Sequence, residues 1–204
     1  MNEFHDHWQG VYGKKAETSV SWYQATPARA LASVREIAHS LEASIIDIGG
    51  GASTLVDGLL EVGYTDITVL DIAAAALEKS KARLGARAAH INWMAADITS
   101  WSPSRTWDVW HDRAAFHFLT TPENQTRYLN ALECGTKAGS HVIMSTFALD
   151  GPERCSGLPV QRYSAQTLAQ KVGPRFKLME ESQEQHLTPW GATQSFTFAV
   201  YVRS

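Results

Sequence analysis

Short apolar runs alternate along this chain with stretches whose apolar residues recur every three or four positions. The runs at 44–48 and 67–72 are nearly unbroken, as strands buried on both faces of a parallel sheet must be, and 91–98, 106–112 and 141–147 read as three further strands. Between them, Leu31, Val34, Ile37 and Leu41 mark a helix opened by Thr26-Pro27, a cap followed by a proline at the first helical position. Leu55, Leu59 and Leu60 mark a second helix that stops near Gly63, and an alanine-rich third passes Leu77 and Leu84 to Gly85. Phe116 to Phe118 begins a helical region that breaks near Pro122 and resumes through Tyr128, Leu129 and Leu132, and a last helix is predicted over 164–171. Two more strands, 177–186 and 193–202, flank Thr188-Pro189-Trp190-Gly191 and read as an antiparallel pair ending the sheet. The predicted fold is α/β, a doubly wound sheet of about seven strands with an antiparallel C-terminal strand. The segment 100–106 is a polar loop, and 150–163, with two prolines and two glycines, is too irregular for a buried element.

The first 23 residues stand apart. Phe4, His5, His7, Trp8, Tyr12, Trp22 and Tyr23 place many large rings ahead of the first core helix, and Gly10, Gly13 and the Lys14-Lys15 pair are expected to break them into short pieces. Such a segment suits a lid over an apolar pocket, and equally a satellite core packed on the sheet edge. The expected organisation is a single domain over 1–204, with 1–23 as the lid and 24–204 as the core.

Composition narrows the class of protein. The chain has 204 residues, 44% hydrophobic and 19% charged, enough for one soluble domain with a substantial core. A net charge of −3 with no basic stripe argues against a nucleic-acid partner. Cys134 and Cys155 are too few for a disulfide framework and suit a reducing compartment. The amino terminus lacks a basic-then-apolar signal, and no apolar run approaches the roughly 20 residues that span a bilayer. The expectation is a cytoplasmic protein, monomer or homodimer, with no membrane partner.

The first strand runs into Asp47-Ile48-Gly49-Gly50-Gly51-Ala52-Ser53. Glycines at such a junction permit a sharp turn and close approach of a ligand to the main chain. Alone they fit an ordinary turn as well as a binding edge, so the acids decide. A dinucleotide would set its pyrophosphate over this turn, and Asp47 would oppose that charge. S-adenosylmethionine (SAM) carries a sulfonium and an ammonium instead, which suit an acid there. Asp71, ending the second run, can accept from both ribose hydroxyls, a requirement shared by NAD and SAM. Asp97, ending the third, can reach the adenine amino group.

Asp47-Ile48-Gly49-Gly50-Gly51, Asp71-Ile72 and Asp97-Ile98 together resemble the cofactor-site series of class I SAM-dependent methyltransferases, and the resemblance covers nearly the whole chain. It implies a Rossmann-like fold, SAM as cofactor with S-adenosylhomocysteine (SAH) as product, and contacts to the cofactor from Trp22, Asp47, Gly49, Gly50, Gly51, Asp71, Ile72, Asp97, Ile98 and His111. One departure is the glycine in the fourth place, Gly50, which tightens the turn. More narrowly the chain resembles a group of small bacterial methyltransferases through His7-Trp8, Ser21-Trp22-Tyr23-Gln24, Asp112-Arg113-Ala114-Ala115-Phe116-His117-Phe118-Leu119-Thr120 and Cys155-Ser156-Gly157-Leu158-Pro159.

Methyl transfer asks the protein to align nucleophile and methyl and to exclude water, with a base only when the acceptor is protonated. The catalytic candidates are His111, Asp112, His117, Cys155 and His186. Each has a plain structural alternative. His111 either faces the cofactor or is a half-buried histidine on a backbone carbonyl; Asp112 and Arg113 either serve the site or cap the next helix and pair with a neighbour. His117 faces the pocket or the core, and His186 reaches the active edge or packs beside the final turn. Cys155 is a soft thiol lining the acceptor pocket or a small apolar filler. The spacing of Cys155, His117 and His186 matches no zinc signature, so no metal is expected.

The (Asn/Asp)-Pro-Pro-aromatic sequence of enzymes acting on amide or amino nitrogens is absent after the fourth strand, where His111-Asp112-Arg113-Ala114 stands. The expected function is therefore methyl transfer from SAM to a small-molecule acceptor. The alternatives are a protein lysine N-methyltransferase and a non-catalytic SAM-binding protein; an NAD oxidoreductase is disfavoured by Asp47.

Overall fold

The computed structural model describes residues 3–14 and 16–204. A seven-stranded sheet forms the middle layer, in the order β3-β2-β1-β4-β5-β9-β8. Its strands are β1 (Ser44–Ile48), β2 (Asp66–Asp71), β3 (Ile91–Ala95), β4 (Val109–Arg113), β5 (His141–Phe147), β8 (Phe176–Leu187) and β9 (Thr193–Arg203). The pairs among β1 to β5 are parallel, and β9 runs antiparallel to both β5 and β8. The expected α/β Rossmann-like architecture with an antiparallel end is thus the observed one.

Alternation along the buried strands divides the core in two. Ile46, Trp110, Val142, Met144 and Tyr201 face one side, against Tyr128 and Leu132 of α5 (Pro122–Cys134) and Leu168 of α6 (Ala165–Val172). Ile45, Val109, Ile143 and Val200 face the other, against Val34 of α2 (Ala28–Ile37), Leu59 of α3 (Leu55–Val62) and Leu77 of α4 (Ala74–Leu84). Successive strand side chains point to opposite faces, so a continuous apolar run is what two covering layers demand. Strand order reverses between β1 and β4. The carboxyl ends of those strands therefore open a crevice, the place where open α/β sheets take ligands.

Several boundaries differ from expectation. Gly10 and Gly13 do not break the amino-terminal segment: α1 (Glu3–Lys14) is one continuous helix. Trp8 and Tyr12, four residues apart, both bury their rings, and Gln9 Oε1 accepts from Ala75 N–H at the start of α4. Packing of that face outweighs the cost of two helical glycines, about 1 kcal/mol each. Of the expected lysine break, Lys15 lies outside the described residues. Helix α2 has Pro27 rather than Thr26 at its N-cap and stops at Ile37, leaving Leu41 beyond it and exposed. Strand β3 ends at Ala95, because Asp97 Oδ1 accepts from Thr99 N–H and its hydroxyl and turns the chain away. Strand β4 begins at Val109 rather than 106. Phe116–Phe118 is a single 3-10 turn, with α5 starting separately at Pro122 behind the Thr121 cap. Inside 150–163 a two-residue hairpin forms, β6 (Arg154–Cys155) with β7 (Leu158–Pro159). Its central residues Ser156 and Gly157 both have positive φ, as a primed hairpin turn requires.

Candidate functional site

The glycine junction is built without spare room. Gly49 has φ +69° and a Cβ on it would lie 2.9 Å from Ala115 Cβ. A Cβ on Gly51 would lie 2.5 Å from Ala76 Cβ and from Asp71 Oδ2, and one on Gly50 would run into the Asp47 carboxylate. The glycine in the fourth place thus leaves space for an acid folded back under the turn. Asp71 holds the junction together: Oδ2 accepts from Gly51 N–H at 2.9 Å and Oδ1 from Ala73 N–H at 2.8 Å. Burial pushes its carboxyl up to about 6, although both backbone bonds pull the other way.

Beside this junction lies a cavity of ≈ 950 Å³. Gly49, Asp71, Ile72, Asp97 and Ile98 form one wall of it. Trp8, Tyr12, Trp22 and Phe118 form the facing aromatic wall, with the Trp8 and Phe118 ring centroids 4.9 Å apart edge to face and Trp8 and Trp22 5.6 Å apart. Trp22 Nε1 donates to the Tyr12 hydroxyl at 3.2 Å, locking the two rings together. Arg113 and Cys155 also reach the cavity. Cys155 is buried, its Sγ 3.9 Å from Ser21 Oγ, and burial pushes the thiol up to about 11, so it is protonated at neutral pH.

The remaining predicted residues lie outside this cavity. Asp47 and His111 are register partners on β1 and β4, and His111 Nδ1–H donates to Asp47 Oδ1 at 2.7 Å. Both are buried, and Asp47 Oδ2 and His111 Nε2 have no hydrogen-bond partner among the described residues. His111 therefore meets a carboxylate rather than a backbone carbonyl. Asp112 is fully buried: it accepts from Ala115 and Phe116 N–H and, at 2.6 Å, from the Tyr128 hydroxyl. Burial raises it to about 6. His117 Nδ1 accepts from Phe147 N–H at 3.2 Å, with its ring between Phe118 and Phe147. His186 Nε2–H donates to the Ser21 carbonyl at 2.6 Å and lines a separate pocket of ≈ 320 Å³ with Tyr23 and Thr26. Asp47, Gly50, Gly51, His111, Asp112, His117 and His186 do not line the large cavity.

The Asp112 arrangement carries a stability prediction. Tyr128 also accepts from Trp110 Nε1 at 3.0 Å, so Tyr128→Phe strands an indole N–H and one carboxylate bond in the core. Such orphaned groups cost about 1–3 kcal/mol. A thermal melt is expected to shift down by roughly 3–8 °C, with SAH affinity unchanged.

The sequence offers Arg113 with Asp112, either serving the site or capping the next helix and pairing with a neighbour, and the structure puts it on the cavity wall. That it lines the cavity follows from its place at the carboxyl end of β4, which the sequence does mark.

The same chain is similar to known methyltransferases. Residues 45–139 match the family model described as "Methyltransferase domain". Among curated proteins, the chain is 27% identical over 124 residues to the eEF1A lysine and N-terminal methyltransferase of Mus musculus, covering 59% of this chain and 17% of that protein. It is 32% identical over 117 residues to the malonyl-[acyl-carrier protein] O-methyltransferase of Anoxybacillus flavithermus, covering 56% and 44%. The chain thus spans less than half the length of either relative. In fold it is similar to the 1,6-didemethyltoxoflavin-N1-methyltransferase of Burkholderia thailandensis, solved with 1,6-didemethyltoxoflavin and SAH, with a TM-score of 0.72 and 15% identity over 99% of this chain and 89% of the other. Sheet order and family match agree: residues 45–139 match a methyltransferase domain, and the sheet has the order of the class I methyltransferase fold.

Proposed function

We propose that the protein moves the methyl group of SAM to a small-molecule acceptor held against the aromatic wall of the cavity. The observation that carries this reading is one ≈ 950 Å³ space reaching from the glycine–acid edge to Trp8, Trp22 and Phe118. That is near the top of the roughly 300–1,000 Å³ range of small-molecule sites, roomy for a donor and an acceptor together. The relative from Anoxybacillus, a malonyl-[acyl-carrier protein] O-methyltransferase, and the toxoflavin-precursor enzyme from Burkholderia support an acceptor of this kind.

The residues present fit the donor. Asp71 would take the ribose hydroxyls, Asp97 the adenine amino group and Ile72 and Ile98 the faces of the base. Gly49 leaves the main chain open to the amino-acid end, while Gly50 and Gly51 make room for the Asp47 and Asp71 carboxylates beneath the turn. Asp47, with one carboxylate oxygen unpartnered behind Gly50, supplies negative potential toward the cationic portion. When bound, SAM supplies a methyl group made electrophilic by its sulfonium. The chain's own part is to exclude water and hold the nucleophile. Helix α1 and Trp22 serve as the lid that does so, with Phe4 and Trp8 already packed on Phe118 and Trp22 on Trp8. His111, Asp112, His117 and His186 stand outside the cavity and act as positioning groups in this reading. Cys155 alone of the five candidates lines it, and Cys155→Ser separates a soft thiol at work from an apolar filler by turnover.

We place the protein in the cytoplasm as a monomer or homodimer without nucleic-acid or membrane partners. Its net charge of −3 supports this, and among the described residues no helix is long and apolar enough to cross a membrane.

The test is incubation of methyl-labelled SAM with the protein and an extract, followed by size separation and trapping of volatiles. Label in the small or volatile fraction is expected. Label on protein would favour lysine transfer, the chemistry of the similar mouse enzyme. Tight binding without transfer to any fraction would make the protein a SAM-binding module.

A further inference from the structure

Two arginines line the large cavity. Arg127 is exposed at its mouth and paired with Glu123 at 2.7 Å. Arg113 is different. Its Nη1 donates to the Trp22 carbonyl at 2.9 Å, and its guanidinium carbon lies 4.8 Å from the centre of the Phe196 ring. Its Nε and Nη2 are buried and have no hydrogen-bond partner among the described residues, and among them no carboxylate pairs with it. Two acids act on it through space without bonding it: Glu184, which accepts from Gln24 Nε2 at 2.9 Å, and Asp47, which accepts from His111 on one of its two oxygens. The next residue, Ala114, also lines the cavity and is held at φ 67°, a conformation that costs an L-residue energy and clusters at functional sites.

A buried guanidinium that no carboxylate bonds is costly. Nε and Nη2 are the two donors on one side of the guanidinium plane, the fork that takes a carboxylate in two parallel hydrogen bonds. Nη1, on the other edge, already donates one of its two N–H groups to Trp22. Phe196 belongs to β9, across β5 from β4, so the guanidinium leans away from Asp71 and Asp97 and toward the half of the sheet left to the acceptor.

We propose that Arg113 receives a carboxylate of the methyl acceptor, making the acceptor a small organic acid whose apolar body packs on Trp8, Trp22 and Phe118. This deepens the small-molecule reading above and rests on it. Arg113 is then a specificity-determining residue, excluding neutral analogues because they would leave the fork unpaired.

The test uses benzoate, phenylacetate, 3-phenylpropionate and indole-3-acetate, each against its primary amide, titrated into SAH-saturated protein and read by tryptophan fluorescence and calorimetry. At least one acid is expected to bind about tenfold or more tighter than its amide, as expected for a lost charge-assisted fork. Arg113→Met is expected to erase that preference, to leave the SAH Kd within roughly threefold, and to hold or raise the Tm, because it removes a buried charge that no carboxylate bonds. Arg113→Lys, keeping the charge without the fork, is expected to retain only a small part of the preference. Equal binding of acids and amides, or no acid binding below about 10 mM, overturns the proposal. A Tm loss above about 10 °C in Arg113→Met would show a structural prop instead, and a tenfold weaker SAH complex would show that the guanidinium reads the donor's own carboxylate. Failure of SAH to bind the unaltered protein sinks the methyltransferase reading itself; SAH binding without acid preference sinks only this inference.

Discussion

Asp71→Asn is expected to raise the Kd for SAH by about 100-fold, because charge-assisted hydrogen bonds to two hydroxyls are worth roughly 1.5–3 kcal/mol each. An asparagine offers one acceptor oxygen where the carboxylate offers two. In the free protein both oxygens already accept backbone N–H groups, from Gly51 and Ala73. The amide nitrogen of the variant would face one of those donors, so its unliganded Tm is also expected to fall, by roughly 2–6 °C. The carboxyl titrates near pH 6 in the unliganded fold, raised by burial. Only the ionised form accepts from two hydroxyls, so the SAH Kd is expected to be flat above pH 7. It should rise as pH falls below about 6, approaching tenfold per pH unit. Hydroxyl donors favour the carboxylate, so binding at pH 5.5 should release a proton, seen by calorimetry in buffers of different ionisation heat. A folded Asp71→Asn that binds SAH like the unaltered protein would remove Asp71 from the cofactor contacts.

How much of this was readable beforehand varies with the kind of information each feature needs. The strands β1 and β2 were visible because a strand covered on both faces is a continuous apolar run. The acids at 47, 71 and 97 were visible because each closes such a run. Sheet order is what separates their fates: Asp71 and Asp97 open onto the cavity, whereas Asp47 turns under Gly50 to the neighbouring His111. Nothing in a one-dimensional pattern states that β4 lies next to β1. Helix α1 was hidden by its two glycines, because propensity is local and the surface its rings pack on is contributed by residues 52, 73 and 76. The β6–β7 hairpin had a usable signal in Ser156-Gly157, masked by Pro152 and Pro159 on either side. The unpaired state of Arg113 had none, since an absent partner is a property of packing.

His117 carries the second large effect, on acid stability. Its ring is fully buried between Phe118 and Phe147, and its Nδ1 must stay unprotonated to accept the Phe147 N–H. Burial first, and the nearby Arg113 second, depress its pKa to about 3 from the ordinary 6.5. A base depressed in this way contributes stability that is fully present above pH 6.5 and is lost as pH falls toward 3. Between pH 7 and pH 5 the loss from this side chain comes to about 2 kcal/mol, at 1.36 kcal/mol per unit below 6.5. Asp71 and Asp112 work in the opposite sense. Both are raised to about 6, so their contribution is complete below about pH 4 and is lost as pH rises through 6. The unaltered protein's profile is therefore a sum of opposing slopes, and the histidine is isolated by difference. In His117→Asn the amide oxygen can accept the Phe147 N–H without titrating. Urea denaturation from pH 7 to pH 5 is expected to show the unaltered protein losing about 2 kcal/mol relative to this variant. Parallel profiles would mean that His117 already takes up its proton within the fold, and that the Phe147 bond does not hold it neutral.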